Sequence, residues 1–372
     1  MLKGYYLYTE QKSVGVEKKI AMQLHEFNKH FNVQAIIVKR KFKHTLIQKL
    51  IERLPNKSIF DYDSVFEQLQ QPDFLYIRKI SAEAGLINFL SRVKKAFPNC
   101  KIVIEIFTYP YYKDDFNRNF LHKILTYPFY LKDIKFRKQY YNFVNRFVTY
   151  SDDDYIFDVP TIRTTNGVDV KNIVLADATQ YINNAINIIS VAHMQPHHAF
   201  ERLIKGLYLY YEKSPERKVT YAIVGDGKEV SYYKKLVNDY KLNNVVSFYG
   251  LKSGKELNDI YNHATIALSS LGLYKLDINN ISPLKVYEYL SRGLPVISGC
   301  KINILNEVKC PYIFEVSNNN SAIDVMQIIK FQDEIYTSET TVKNLREKIR
   351  LFAHKNADMS IVMQPIIDYI LK

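Results

Sequence analysis

The 372-residue chain is predicted to be an α/β protein with two doubly wound parallel sheets, one in each of two domains facing across a cleft. Three observations carry this. Short apolar runs alternate with longer helical segments in two successive series; the alternation breaks around residues 160–175; and glycine-bearing turns close several runs of the second series. In the first series, strand-like runs fall at 3–9, 33–39, 74–79, 101–107 and 146–150, separated by helical segments such as 16–31, 82–97 and 116–130. Strands at 186–192, 218–224, 245–249, 264–270, 295–299 and 311–316 form the second. Short apolar strands between helices imply parallel sheets covered on both faces. Pro160 and Asn166-Gly167-Val168-Asp169 interrupt the pattern and mark the link. The expected domains are 1–168 and 169–356, and a last helical stretch from 357 to 372 is able to pack back on the first.

Composition narrows the class. Apolar residues make up 47% of the chain with regular polar breaks, and no window approaches ~18 uninterrupted apolar residues, so no membrane-spanning helix is expected. The first residues read as a short strand and lack the apolar run of a secretion signal. Cys100, Cys300 and Cys310 are few and scattered, which argues against disulfides and thiolate metal sites. A cytoplasmic location is the expectation.

The net charge of +13 is uneven: residues 1–150 hold 26 Lys and Arg against 13 Asp and Glu, and the remainder is balanced. Lys39, Arg40, Lys41, Lys43, Lys49 and Arg53 surround apolar residues at helical spacing. Arg118, Lys123, Lys132, Lys135, Arg137 and Lys138 are interleaved with aromatics. Cations mixed with aromatics suit an anionic membrane surface, so peripheral association at the inner face of the plasma membrane is expected through the basic first domain. A solvated helix face is the plain alternative for each segment. Nucleic acid would be drawn by the same charge, but nothing else points to it, and no nucleic-acid partner is expected.

The most informative stretch is Ser282 to Ser298. Pro283 suits a first helical turn and Ser282 a cap, so a helix is predicted to begin there, presenting free N–H groups and a positive dipole end to a phosphate. Lys285 adds a mobile cation in that first turn, and Glu288 is placed to accept from a pair of sugar hydroxyls. Gly293 ends the helix and Pro295 opens a buried strand. The bland reading is a helix–turn–strand unit of any parallel α/β domain. Gly225 and Gly227, Gly250 with Leu251, and Gly272 close neighbouring strands of the same domain, and the two glycines of the first loop would let its backbone approach a ligand.

These residues, with His197 to Gly206 and Glu256 to Ala264, resemble the retaining GT-B glycosyltransferases of the glycogen-synthase-like group, in the branch of bacterial capsule, O-antigen and cell-wall polysaccharide enzymes. The resemblance covers nearly the whole chain and implies two Rossmann-like domains. It implies that Glu288 holds the nucleotide ribose and that Ser282, Pro283, Leu284 and the helix start meet the diphosphate. Gly250 and Leu251 would meet the base, with Gly225, Gly227 and Gly272 in the donor loops. Asn280 stands where relatives carry a glutamate on the donor sugar. Lys285, His198 and Arg202 are the catalytic candidates, because His193 and His198 replace an Arg and a Lys that neutralise the departing diphosphate. Gly15, Glu105 and Tyr109 are the acceptor-side candidates, the last two through a Glu-x-x-Thr-Tyr-Pro-Tyr element.

The implied reaction moves a hexose or similar sugar from a UDP-, GDP- or dTDP-linked donor to a glycan or lipid-linked glycan, keeping the anomeric configuration. No carboxylate pair suits double displacement. Asp152-Asp153-Asp154 invites a metal, but it lies far in sequence from the phosphate elements, and neither metal nor cofactor is expected. The alternative is a non-catalytic GT-B-like protein that binds a glycosyltransferase partner or a glycan; a nucleotide-sugar epimerase is a smaller possibility. Oligomeric state is not legible.

Overall fold

The computed structural model describes residues 1–10, 14–41, 52–54, 56–107, 109, 120–180, 185–303 and 307–372. The chain divides into two compact units, Met1–Thr165 with Val362–Lys372, and Asn166–Ile361; the sequence had placed the boundaries at 168/169 and 356/357.

Unit 1 is built on a seven-stranded sheet. Its strands are β1 (Lys3–Tyr8), β2 (Asn32–Ile37), β3 (Phe74–Arg78), β4 (Lys101–Ile106), β5 (Arg146–Thr149), β6 (Tyr155–Ile156) and β7 (Val159–Arg163), in the order β2-β1-β3-β4-β5-β7-β6. All neighbours are parallel except β6 and β7, which form a small antiparallel hairpin. Successive residues face opposite sides of a strand, and both sides here are apolar. Tyr5, Leu7, Leu75, Ile77, Ile102 and Ile104 join one core with the helix Ala84–Ala96. On the other face, Tyr6, Phe74 and Tyr76 meet Phe27 and Phe31 of the helix Val14–His30 and its C-terminal end. That two-sided burial is why these strands read as unbroken apolar runs. Pro160, taken from sequence as a break, lies within β7, opposite Tyr155 of the two-residue β6; a proline is tolerated where the ladder does not need its missing N–H.

The last helix, Met359–Leu371, begins in unit 2 and ends in unit 1. Met363, Ile366, Ile367 and Ile370 are buried, and Lys101 Nζ donates to the carbonyls of Tyr369 and Ile370 at 3.3 and 2.9 Å.

Unit 2 carries β8 (Ile186–Val191), β9 (Val219–Val224), β10 (Val246–Gly250), β11 (Ile266–Leu268), β13 (Val296–Ser298) and β15 (Ile313–Glu315) in an all-parallel sheet of order β10-β9-β8-β11-β13-β15. A separate two-stranded ladder joins β12 (Asn280–Ile281) to β14 (Lys301–Ile302). Adjacent residues divide between two cores, Ile188 into one and Ile189 into the other, as a doubly wound sheet requires. Strand order reverses between β8 and β11, and in such sheets the crevice beyond the carboxyl ends at that switch point is where ligands sit. The loops leaving β8 and β11 are therefore the ones to inspect.

Candidate functional site

β8 leads into a single 3₁₀ turn, Pro196–His198, and β11 leads into Ser269 to Gly272. The two loops are joined by backbone bonds: the N–H of Leu271 donates to His198 O at 2.9 Å and that of Gly272 to His197 O at 3.1 Å. Between β12 and β13 lies the helix Leu284–Ser291. Tyr289 of this helix docks on the end of β8, where its hydroxyl accepts the Val191 N–H at 2.9 Å.

The start of that helix differs from the sequence expectation. Pro283, not Ser282, is the N-cap residue, and no side chain caps the helix. Ser282 is occupied elsewhere: its Oγ accepts the Asn166 N–H at 2.9 Å and lies 2.9 Å from the Tyr287 hydroxyl, while Asn166 Nδ2 donates to its carbonyl. Asn166 thus fixes the approach to the helix, a role the turn signal at 166–169 did not disclose. The first N–H groups of any helix lack intrahelical acceptors, and here Leu284 and Lys285 carry them.

Lys285 extends toward the end of β11, with Nζ 3.4 Å from Ser270 Oγ. Parts of the residue remain accessible, but its amine is enclosed, and burial lowers its pKa to about 7. Among the described residues no carboxylate pairs with it. His197 and His198 stand nearby. Burial, then the Lys285 charge, pull His197 down to about 4 and His198 further still. His198 Nδ1 accepts the Gln195 N–H at 2.9 Å, which leaves the hydrogen of the neutral ring on Nε2. His198 is a neutral group at physiological pH and not a substitute cation.

Arg202 also departs from expectation. Although 1% exposed, its guanidinium does not face the loops' open side: Nε, Nη1 and Nη2 donate to the carbonyls of Ser321, Leu271 and Ser317 at 2.8, 2.5 and 2.8 Å. It binds three loop segments together. A buried guanidinium is costly without such acceptors, and only the folded chain shows where they lie.

Glu288 lies one turn beyond Lys285 on the same helix, so the two share a face. Its side chain keeps 39% of its exposure and takes one contact from Arg292 Nη2 at 3.4 Å. Arg292 is itself held by Asn258 Oδ1 at 2.9 Å and lies over the Tyr261 ring, 4.0 Å from the centroid. Its spacing four residues after Glu288 was the signal that sequence reading passed over.

The glycines serve the scaffold. Gly225 and Gly227 have φ of +119° and +143°, and a Cβ on either would fall 2.0 Å from Ala192 O or 2.3 Å from Met194 O. They let the loop after β9 lie against the loop after β8, where the Met194 N–H donates to Asp226 O at 2.6 Å; the close approach is backbone to backbone. Gly272 abuts Ala199 and His197 in the same way. Gly250, at φ +66°, has open space around it, and Leu251 beside it is 76% exposed. Asn280 is exposed on β12.

In unit 1, Gly15 is exposed in the first turn of its helix. Glu105, expected on the acceptor side, is fully buried: it accepts Lys19 Nζ at 2.8 Å and Arg78 Nη1 at 3.2 Å, with the Tyr150 hydroxyl and Gln23 also on it. Burial pulls against ionisation, but the two cations win and hold its pKa well below the usual range. Tyr109 packs edge-on against Phe157 beside the core. The basic face is thinner than the sequence implied. Lys132 is 3% exposed, 3.6 Å from Glu83 and bonded to the carbonyls of Glu52 and Lys57, and Arg137 pairs with Asp133 at 3.5 Å. Lys135 and Lys138 are exposed. Lys43, Lys49 and Arg118 lie outside the described residues, as does the Lys123 side chain. Asp153 accepts the Ser151 hydroxyl and Asp154 faces Arg163; among the described residues no cluster of three potential metal ligands occurs, and no helix is long and apolar enough to cross a membrane.

Residues 178–352 match the family profile described as Glycosyl transferases group 1. Over its full length the chain is similar in fold to HepE of Anabaena in complex with UDP, at TM-score 0.66 and 13% identity, covering 100% of both chains. It is likewise similar to a glycosyltransferase from Rickettsia africae ESF-5, at TM-score 0.63 and 14% identity over 100% of this chain and 99% of that one. Sucrose-phosphate synthase from Thermosynechococcus elongatus gives TM-score 0.63 at 10% identity with the same coverage. No curated protein matches by sequence. At these identities the likeness establishes the fold, which is that of the GT-B glycosyltransferases, with two Rossmann-like units.

Proposed function

We propose that the protein is a retaining glycosyltransferase that takes a sugar from a nucleotide-sugar donor seated on unit 2. One observation carries the reading: an enclosed amine, Lys285, without a carboxylate partner among the described residues, stands at the start of a helix at the sheet's switch point. A diphosphate answers all three features, since it supplies the missing negative charge and accepts from the helix N–H groups. Glu288 then faces the ribose hydroxyls, with Arg292 holding one carboxylate oxygen.

As the bond from the anomeric carbon to the diphosphate breaks, negative charge gathers on the leaving phosphate. A protonated Lys285 and the fixed N–H dipoles oppose it, worth about 3 kcal/mol or more for such a preorganised group. The departing phosphate oxygen receives the acceptor's proton on the same face, so configuration is kept, and neither metal nor cofactor is required. Uracil is the first base to test, because HepE, which shares the fold, binds UDP and UDP-glucose. The acceptor of this reading is a glycan or lipid-linked glycan of bacterial surface polysaccharide, met at the inner membrane face through exposed cations such as Lys135 and Lys138.

A second reading, nucleotide binding without turnover, draws support from the neutral histidines and the locked Arg202, which leave Lys285 as the cation at this helix start. Titration of the full chain with UDP-, GDP- and dTDP-sugars, followed by assay of transfer and donor hydrolysis, separates the two. Binding that is lost in Lys285→Ala, with turnover, supports the enzyme; binding without turnover supports the second reading. Absence of nucleotide-sugar binding, or wild-type binding by both Lys285→Ala and Glu288→Ala, overturns the site.

A further inference from the structure

Residues 271–279 connect β11 to Asn280 through a 3₁₀ turn, Leu273–Leu276, and Asp277 at φ +54°. The start is held by Arg202 and by the backbone carbonyls of His197 and His198, and the end by the Lys301 N–H, which donates to Asn279 O at 3.2 Å. The span between is tied by Lys275, whose Nζ donates to Pro196 O and Glu201 Oε1 at 3.0 and 2.8 Å, and by two side chains from the loop after β15. Asn318 Oδ1 accepts the Tyr274 N–H at 2.9 Å, and its Nδ2 donates to Ile278 O and to Asn279 Oδ1, both at 2.9 Å. Asn320 Oδ1 accepts the Tyr274 hydroxyl at 2.8 Å. Two of the Asn318 partners are backbone groups of fixed polarity, so the orientation of its amide is settled.

In a nucleotide sugar the diphosphate joins the ribose at one end to the sugar at the other. With the phosphates at the start of the helix Leu284–Ser291 and the ribose toward Glu288 one turn on, the chain that borders the phosphates on the side away from Glu288 is the segment that precedes the helix. We propose that Asn318, assisted by Asn320, is a positioning residue for the sugar half of the donor. It acts through Asn279, whose side-chain oxygen it holds, and so through the backbone that leads into Asn280. This rests on the donor-site reading above. Asn279 and Asn280 are exposed and carry amides, which both donate to and accept from hydroxyls, so their placement decides which hydroxyl pattern fits.

The test compares the nucleoside diphosphate and the nucleotide sugar that the wild type binds best, by calorimetry and initial rates, in Asn318→Asp, Asn318→Ala and Asn320→Ala. Aspartate keeps the shape of asparagine and still accepts from Tyr274, but it has nothing to donate to Ile278 O or Asn279 Oδ1. The expected result is nucleoside diphosphate affinity within about twofold of wild type in all three, with about tenfold weaker nucleotide-sugar binding and lower kcat in Asn318→Asp, and a smaller loss in Asn320→Ala. A support for the loop that is merely structural would weaken both ligands together. Equal changes for the two ligands, or no change for either, overturn the proposal while leaving the donor site standing. Failure of the wild type to bind any nucleoside diphosphate or nucleotide sugar overturns the donor site itself.

Discussion

Raising the pH should weaken donor binding in a way that reports on Lys285. The amine has a pKa of about 7 through burial alone, and a bound diphosphate, two negative charges against it, favours the protonated form. If the bound amine titrates well above neutrality, affinity is flat below pH 7 and falls about tenfold per unit above it, so that the change from pH 6 to pH 8 is about tenfold, or ~1.4 kcal/mol. Proton uptake accompanies binding, about half a proton per ligand at pH 7 and close to one at pH 8. Calorimetry in buffers of different ionisation enthalpy measures it directly. A nucleotide sugar is the proper ligand, because its diphosphate, esterified at both ends, does not titrate near neutrality. Lys285→Met should abolish both the pH dependence and the uptake. Binding accompanied by no proton uptake at pH 8, or uptake that survives Lys285→Met, would refute the reasoning.

Stability offers further tests. In the ligand-free protein Lys285→Met should raise Tm, most at and below pH 7, and the gain should shrink as the pH climbs toward the ordinary lysine range, because the folded state holds the lower pKa and wild-type stability rises between the two values. Arg202→Met should cost about 3 kcal/mol or more by leaving three loop carbonyls without their donor, seen as a lower denaturant midpoint; an unchanged midpoint would return Arg202 to the list of groups free to reach a ligand. Glu105→Gln strands two buried cations and should cost about 3–5 kcal/mol at neutral pH. Because Glu105 titrates below its unfolded value, its stabilisation is present above that value and is lost as the pH falls through the folded one, so the mutant and wild-type midpoints should converge in acid. Lys132→Ala should lower Tm without altering liposome binding, whereas Lys135→Glu with Lys138→Glu should weaken liposome binding and leave Tm unchanged.

The sheets were legible because the inner parallel strands are buried on both faces, leaving runs such as Phe74–Arg78 or Ile186–Val191 that admit little but a strand. The hairpin of β6 and β7 escaped because Pro160 reads as punctuation, and its tolerance depends on which neighbour needs its N–H. The helix at 284–291 was visible through Pro283, Lys285 and Gly293, though its cap was placed one residue early. Where charged side chains point was not legible. Glu105, Lys132 and Arg202 carry the residue types of a binding surface, yet each is buried against partners between 27 and 119 positions away in sequence. Nothing in a local window distinguishes a cation that waits for a ligand from one that staples loops. The glycines of the Val224 to Gly227 turn posed the same ambiguity, since a missing Cβ admits a phosphate or another stretch of main chain equally well.

The return of the final helix to unit 1 has a bearing on how the protein is made. Residues 1–165 leave the ribosome early, yet the buried side chains of Val362, Met363, Ile366 and Ile370 that belong to the same unit are translated only after the whole of unit 2. The nascent amino-terminal lobe must therefore wait, with a greasy seam uncovered, until segment 362–372 has emerged to close it. Nonsense mutations at the codons for 362–372 would injure the lobe encoded first.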